Sequence, residues 1–75
     1  MDIALNAEFL GDEEEADLVE WLVEDGSAVE QGAPIAQFET SKLVSEFVAP
    51  TAGTLTRKAG EGDVVNLDDV FATIA

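Results

Sequence analysis

The chain contains neither cysteine nor histidine, and its 75 residues include only three basic side chains against seventeen acidic ones. Without cysteine there is no disulfide framework and no thiolate nucleophile. Without histidine the commonest metal ligand and the usual general base at neutral pH are also missing. The formal net charge of -14 opposes binding to nucleic acid and to anionic membranes, because both are bound chiefly through lysine and arginine. We therefore expect no metal or triad catalysis, no nucleic-acid partner and no membrane partner.

The length of the chain predicts one small domain, residues 1–75. Such a domain buries only about 60% of the surface that its unfolded chain exposes, so a deep catalytic cleft is not expected. The N-terminal sequence has no basic segment ahead of an apolar core, and no apolar run approaches the length of about eighteen residues that a membrane span needs. These features predict a protein of the cytoplasm or of an equivalent compartment such as the mitochondrial matrix.

An acidic run, GDEEEAD, occupies residues 11–17. A calcium-binding EF-hand loop alternates ligands with spacers, turns on a central glycine and ends in glutamate. This run has none of those features. We interpret it as a solvated loop and predict no metal site.

Residues 12–26 give conflicting signals for secondary structure. Asp12 as an N-cap, Glu15 three residues later and a stop at Gly26 are typical of a helix. The same segment also has the alternation of a strand, which would place Val19, Trp21 and Val23 on one face and Leu18, Glu20 and Leu22 on the other.

An internal repeat favours the strand. The sequence VEDGSAVEQGAPIAQFE from residue 23 aligns with AGEGDVVNLDDVFATIA from residue 59 at a constant offset of 36, so that Gly26 matches Gly62. Extending the offset backwards places EADLVEWL over TAGTLTRK, which is rich in threonine and glycine and is a poor helix former. If the two halves share a structure, both segments are strands.

On this basis we predict strands near residues 2–7, 17–23, 35–39, 43–48, 53–58 and 70–74, with shorter extended segments around Val29 and Val65. Turn residues separate these segments. We predict an all-β domain: a flattened barrel or sandwich of two antiparallel sheets, a barrel-sandwich hybrid with pseudo-twofold symmetry between the half-repeats.

Lys42 is the only basic residue among the first 56. The flanking segments PIAQFE and LVSEFVAP are predicted strands, so the short connection between them is a tight hairpin with Lys42 at its tip. An isolated, accessible amine on a rigid support indicates a site of covalent attachment, and the alternative is an ordinary surface lysine.

The sequence FETSKLVSEFVAPTAG resembles the modification site of lipoyl domains, in which a lysine in a similar turn carries lipoic acid in amide linkage. The resemblance extends over nearly the whole chain, including the acidic first loop, EDGSAVEQGAPI, APTAG, AGEGDVV and the apolar C-terminal end. It implies lipoic acid on Lys42, within a hairpin that the lipoylating enzyme recognises through Glu39, Thr40, Ser41 and Leu43. For Glu39 the alternative is an ordinary solvated carboxylate. Two positions depart from the family pattern: Ser41 replaces a common acidic residue, and Leu43 replaces a small one.

Gly26 and Gly53 lie sixteen residues before and eleven after Lys42, where lipoyl domains have characteristic glycines. Turn geometry is the alternative reason for both. The resemblance also places Glu13, Glu14 and Glu15 beside the lipoyl arm, where they are candidates for docking to a basic partner surface. A solvated acidic run without a partner is the other interpretation.

The implied function is that of a monomeric carrier domain whose lipoyl-lysine swings between enzymes of a 2-oxo acid dehydrogenase complex. The domain itself is not an enzyme, although it serves or forms part of a dihydrolipoamide acyltransferase. The implied partners are a lipoate ligase or lipoyl transferase, a thiamine-dependent 2-oxo acid dehydrogenase, the acyltransferase core and dihydrolipoamide dehydrogenase.

Alternatives to this function remain from the sequence. One is the carrier of the glycine-cleavage system, which also bears lipoate but usually has a much longer chain. A biotin carrier domain of a carboxylase shares the fold but has methionine on both sides of its lysine, unlike this chain. An acyl carrier protein matches the size and acidity but is a helical bundle modified on serine. The last alternative is an unmodified interaction module.

Overall fold

Short β-strands make up most of the protein, as the computed structural model of residues 1–75 shows. The elements are β1 Asp2–Ala4, α1 Ala7–Leu10, β2 Glu15–Trp21, β3 Ala28–Val29, β4 Pro34–Glu39, β5 Val44–Val48, β6 Gly53–Arg57, β7 Val64–Asn66 and β8 Val70–Ile74. They form two antiparallel four-stranded sheets, with strand orders β1-β8-β6-β3 and β5-β4-β2-β7. The predicted all-β sandwich is confirmed. The strand predicted near residues 17–23 is also confirmed, although it begins earlier, at Glu15, and ends at Trp21.

The segment between β1 and β2 differs from the prediction. The strand predicted near residues 2–7 ends at Ala4, and a helical turn, α1, begins at Ala7. The side chain of Asn6 caps this turn by accepting a hydrogen bond from the Phe9 amide at 2.8 Å, as N-cap residues do. Gly11 ends the turn with a φ of 65°. The prediction was therefore wrong for residues 5–7, where a local cap outcompetes extended pairing.

The pseudo-twofold symmetry is visible in the topology. The offset of 36 carries β2 onto β6, β3 onto β7 and β4 onto β8, and β5 then corresponds to β1. With these equivalences the order of one sheet becomes the order of the other. Hydrogen bonds in the turns repeat as well: Ser27 N binds Glu24 O at 3.1 Å and Asp63 N binds Gly60 O at 3.1 Å. Each half-repeat therefore contributes strands to both sheets.

Two repeat partners, Trp21 and Arg57, contact each other between the halves. The Arg57 guanidinium carbon lies 5.3 Å from the centre of the Trp21 ring, within the range of a cation-π contact. Trp21 Nε1 donates to Ala59 O at 3.0 Å, and Arg57 Nε donates to Val23 O at 3.2 Å, so the acceptors are also repeat partners. Arg57, one of only three basic residues in the chain, therefore stabilises the fold through this reciprocal contact.

The core between the sheets consists of 17 buried residues, all of them apolar. Its centre is aromatic. The Phe71 ring of β8 lies 5.0 Å from the rings of Phe38 and Phe47 and 6.0 Å from that of Trp21. Because Phe38 is the penultimate residue of β4, this packing fixes the strand that enters the Lys42 hairpin.

Candidate functional site

The connection between β4 and β5, residues 40–43, is a tight turn stabilised by its own threonine. Thr40 N donates to Leu43 O at 2.9 Å. The Thr40 hydroxyl oxygen lies 3.3 Å from the amide nitrogen of Lys42 and 3.4 Å from that of Leu43. Below the turn, Glu39 pairs with Val44 across the strands. The turn therefore has internal hydrogen bonds at the point where β4 passes into β5.

The Lys42 side chain projects from this turn into solvent, with 63% of its surface exposed. Its Nζ atom lies 3.5 Å from Asp12 Oδ2, and the Asp12 side chain is 90% exposed. An ion pair this open to water is weak and is screened by salt. The amine is thus accessible to a modifying enzyme. Asp12 was not among the residues that the sequence predicted at the site.

Glu13 ties the acidic loop to the lysine turn. Its Oε1 atom accepts hydrogen bonds from the Ser41 hydroxyl at 2.6 Å and from the Ser41 amide at 3.1 Å. These two bonds, the hydroxyl first, lower the pKa of the Glu13 carboxyl from its ordinary value of 4.5. Ser41 stands where lipoyl domains commonly have an acidic residue, and the loop places a carboxylate next to that position. Sequence reasoning put Glu13 near the arm but did not identify this contact.

The lowered pKa of Glu13 gives a pH prediction. A carboxylate whose pKa is lower in the folded state stabilises the fold fully above its unfolded value of 4.5 and loses this effect as the pH falls through the lowered pKa. In an NMR titration the Ser41 amide should shift as Glu13 is protonated. Glu13→Gln should remove that step, whereas Glu14→Gln should keep it. A Ser41 shift that titrates unchanged in Glu13→Gln would contradict the assignment.

The three predicted acidic residues do not act as one group. Glu13 contacts the turn. The Glu14 carbonyl instead accepts from the Leu67 amide at 2.8 Å, and Glu15 pairs with Asn66 of β7. Glu14 and Glu15 side chains are exposed and make no hydrogen bond within the protein, so they are free to meet a partner.

Both predicted glycines have a backbone reason to be glycine. Gly26 has a φ of 84° in the turn after β2, and its amide binds Leu55 O at 2.7 Å. Gly53, with a φ of 153°, begins β6, where a Cβ atom would lie 2.5 Å from Ala75 O and 2.8 Å from Ile74 Cγ2. Gly26 follows the predicted turn geometry, and Gly53 permits a close approach of the C-terminal strand.

We expect Gly53→Ala to destabilise the fold by about 2 kcal/mol, because it combines an unfavourable φ with a clash against main-chain atoms. Gly60→Ala is the matched control: Gly60 has no positive φ, and its Cβ would be 3.5 Å from the nearest atom, Asp63 Oδ2. Urea unfolding of both variants measures the difference. Equal stability of the two variants would contradict this account of Gly53.

The charge of the two sheets is unequal despite their related topology. The sheet that carries the Lys42 turn has five exposed carboxylates on its strands, and the other sheet has one, Asp2. The five are Glu15, Asp17, Glu20, Glu39 and Glu46. At the offset of 36 the counterparts of these residues are uncharged: Thr56 replaces Glu20, Gly53 replaces Asp17 and Ala75 replaces Glu39. The lysine therefore lies at the edge of the more negative sheet.

No group of three or more acidic side chains is arranged to hold a metal ion. None of the helical structure is long and apolar enough to cross a membrane.

The chain is similar in sequence to proteins that carry biotin or lipoyl groups. A family model described as "Biotin-requiring enzyme", for biotin and lipoyl attachment domains, matches residues 7–74. The dihydrolipoyllysine-residue acetyltransferase component of the acetoin cleaving system of Cupriavidus necator is 39% identical over 56 residues, which cover 73% of this chain and 15% of that protein. The dihydrolipoyllysine-residue succinyltransferase component of the 2-oxoglutarate dehydrogenase complex of the same organism is 38% identical over 61 residues, 80% of this chain and 15% of that protein.

The fold is also similar to a solved structure. The solution structure of the lipoyl domain of the 2-oxoglutarate dehydrogenase complex from Azotobacter vinelandii superposes with a TM-score of 0.78 at 25% identity, covering 100% of this chain and 95% of that one. The chain spans only about 15% of the length of the curated relatives just named.

Proposed function

The chain is a lipoyl domain of the biotin and lipoyl attachment family, and on this premise we propose that Lys42 carries lipoic acid in amide linkage. The observation that carries the proposal is the exposed amine of Lys42 at the tip of a self-stabilised turn, with 63% of the side chain open to solvent. The fit is chemical as well as geometric. A primary amine is the group that an amide-linked acyl cofactor requires, and the second lysine, Lys58, does not lie in such a turn.

The protein presents the amine, and the ligase supplies the activation. The ammonium must lose a proton before its nitrogen attacks the activated carboxyl of lipoate. The new C–N bond forms as the activating group leaves, and the proton passes to a base of the ligase. Asp12, 3.5 Å from Nζ, pairs with the ammonium. Acylation neutralises Lys42 and changes the formal charge of the domain from -14 to -15.

When attached, the lipoyl group would supply a cyclic disulfide. Reduction of this disulfide by two electrons lets one sulfur carry an acyl group as a thioester, and the acyl group and the electrons are later passed on. The residues of this chain hold the arm at an exposed tip and raise its effective concentration at each partner's active site. The proposed partners are the thiamine-dependent 2-oxo acid dehydrogenase, the acyltransferase core and dihydrolipoamide dehydrogenase, in the cytoplasm or the mitochondrial matrix. The domain is a carrier, serving or forming part of an acyltransferase.

Intact mass tests the cofactor directly. Incubation with lipoate, ATP and a lipoate ligase should add the mass of one lipoyl group. Incubation with biotin, ATP and a biotin ligase should add nothing, because Ser41 and Leu43 replace the methionines that flank a biotinylated lysine. Modification by the biotin ligase alone would establish the biotin carrier function instead.

Two acidic features support docking to a basic surface of the dehydrogenase: the acidic loop, residues 11–17, and the acidic sheet, β5-β4-β2-β7. Opposite charges accelerate encounter through long-range attraction that salt weakens. Glu14 and Glu15 are the informative residues of the loop, because Glu13 also holds Ser41, and its change would disturb the turn.

We expect Glu14→Gln/Glu15→Gln to slow reductive acylation severalfold at low salt and to have little effect at high salt. A double variant with the same charge change, Asp2→Asn/Glu30→Gln, is the control, since both residues are exposed and lie away from the acidic sheet. Stopped-flow acylation at two ionic strengths measures the effect. Equal rates in both double variants would show that the loop does not dock.

A further inference from the structure

A cavity of about 320 Å³ opens between α1, the loop after it and the Lys42 turn. Its apolar lining comes from Phe9, Leu10, Phe38 and Leu43, and Lys42 itself forms part of the wall. This volume is at the lower end of small-molecule sites, which begin near about 300 Å³.

The apolar lining reaches the solvent at two places. Phe9 is only partly buried, although its ring packs 5.8 Å from Phe38 and 5.0 Å from Phe47. Leu43, directly after the lysine, is 57% exposed. An apolar group placed between Phe9 and Leu43 would remove both from water, which is favourable in proportion to the area covered.

We propose that the lipoyl arm of Lys42 folds back into this cavity, with its dithiolane ring against Phe9. The inference rests on the proposed lipoylation of Lys42. The arm is a chain of methylene groups that ends in two divalent sulfur atoms, which are polarisable like the methionine sulfur that makes favourable contacts with aromatic rings. Since the arm is anchored at the cavity wall, its local concentration is far higher than that of a free ligand.

The charges around the cavity favour a neutral occupant. Glu8, Asp12 and Glu13 stand among the lining residues and repel anions, including free lipoate with its carboxylate. An amide-linked arm has no such charge. Acylation also removes the cation that pairs with Asp12 at 3.5 Å, so the modified side chain brings no charge of its own into the cavity.

The folded-back arm must still leave the cavity to reach a partner's active site. The arm therefore has two populations, docked and extended, and the docked one shields the sulfur atoms. Shielding predicts that the reduced arm reacts more slowly with a small alkylating reagent than free dihydrolipoamide does.

NMR of the lipoylated domain tests the proposal, with intact mass confirming the modification before each spectrum. We expect nuclear Overhauser contacts between the arm and the Phe9 ring, and alkylation by iodoacetamide severalfold slower than for free dihydrolipoamide. Leu43→Ala should weaken the contacts and speed the alkylation, whereas Leu67→Ala, at another exposed leucine (39% exposed), should change neither. Sharp arm resonances without contacts to Phe9, together with alkylation at the free rate, would overturn the proposal.

A second variant separates this inference from the proposed function. If the ligase adds no lipoyl group, the proposed function fails, but the cavity is still testable. The chain has no cysteine, so Lys42→Cys offers a unique thiol to which an eight-carbon alkyl chain is joined by a thioether. Contacts from that chain to the Phe9 ring would support the cavity as an apolar subsite, and their absence would reject it.

Discussion

Lys42→Arg is expected to abolish lipoylation. Arginine keeps the positive charge beside Asp12, and the exposed position at the tip of the turn tolerates its size. The guanidinium is always protonated and does not form the amide. The variant therefore keeps the positive charge and lacks only the nucleophilic amine. With lipoate, ATP and a ligase, the wild-type domain should gain one lipoyl mass and the variant none.

Lys58→Arg is the matched control for this experiment. Lys42 and Lys58 are the only lysines in the chain. Lys58 is also exposed but follows β6, outside any hairpin. The control should gain the full lipoyl mass. If Lys42→Arg were still lipoylated, the attachment site would be another amine. If both variants lost lipoylation, the substitutions would have a general effect on recognition by the ligase.

The sequence was sufficient for the architecture because the repeat carries independent information about each half. Residues 12–26 have a helical signature, but the matching segment TAGTLTRK is rich in threonine and glycine and is a poor helix former. The prediction of strand β2 therefore follows from its repeat partner and not from the propensity of its own residues. The matches with lipoyl proteins likewise confirm the predicted family, since the likeness extended beyond the lysine turn.

Other features depended on contacts that no local pattern encodes. The turn α1 has only four residues, too few to show helical periodicity, although Asn6 and Gly11 do give its cap and its end. Glu13 and Ser41 are 28 residues apart, and their hydrogen bonds exist only because β2 and β4 pair. The contrast between an acidic sheet and a threonine-rich one likewise requires knowing which strands share a sheet.

Phe71→Ala is expected to cause the largest loss of stability. The Phe71 side chain is fully buried, and it belongs to β8 of one sheet while its three aromatic neighbours, Trp21, Phe38 and Phe47, belong to the other. Truncation would open a cavity between the sheets at a place where neither can close on it. Such Phe→Ala changes cost about 3 to 5 kcal/mol, and small domains have total stabilities near the lower end of about 5 to 15 kcal/mol.

Urea unfolding followed by circular dichroism measures this effect, and Phe71→Leu is the conservative control, because it keeps most of the volume and should cost less than about 2 kcal/mol. The loss also bears on function. Phe38, a direct neighbour of Phe71, precedes Glu39 and the Lys42 turn, so a loosened core should reduce the population of the folded hairpin that presents Lys42. Lipoylation of Phe71→Ala should therefore slow as urea is added, at concentrations where the wild-type domain is still modified at its full rate. A Phe71→Ala domain as stable as Phe71→Leu would show that the sheets repack around the gap, and that the aromatic cluster does not couple the core to the lysine.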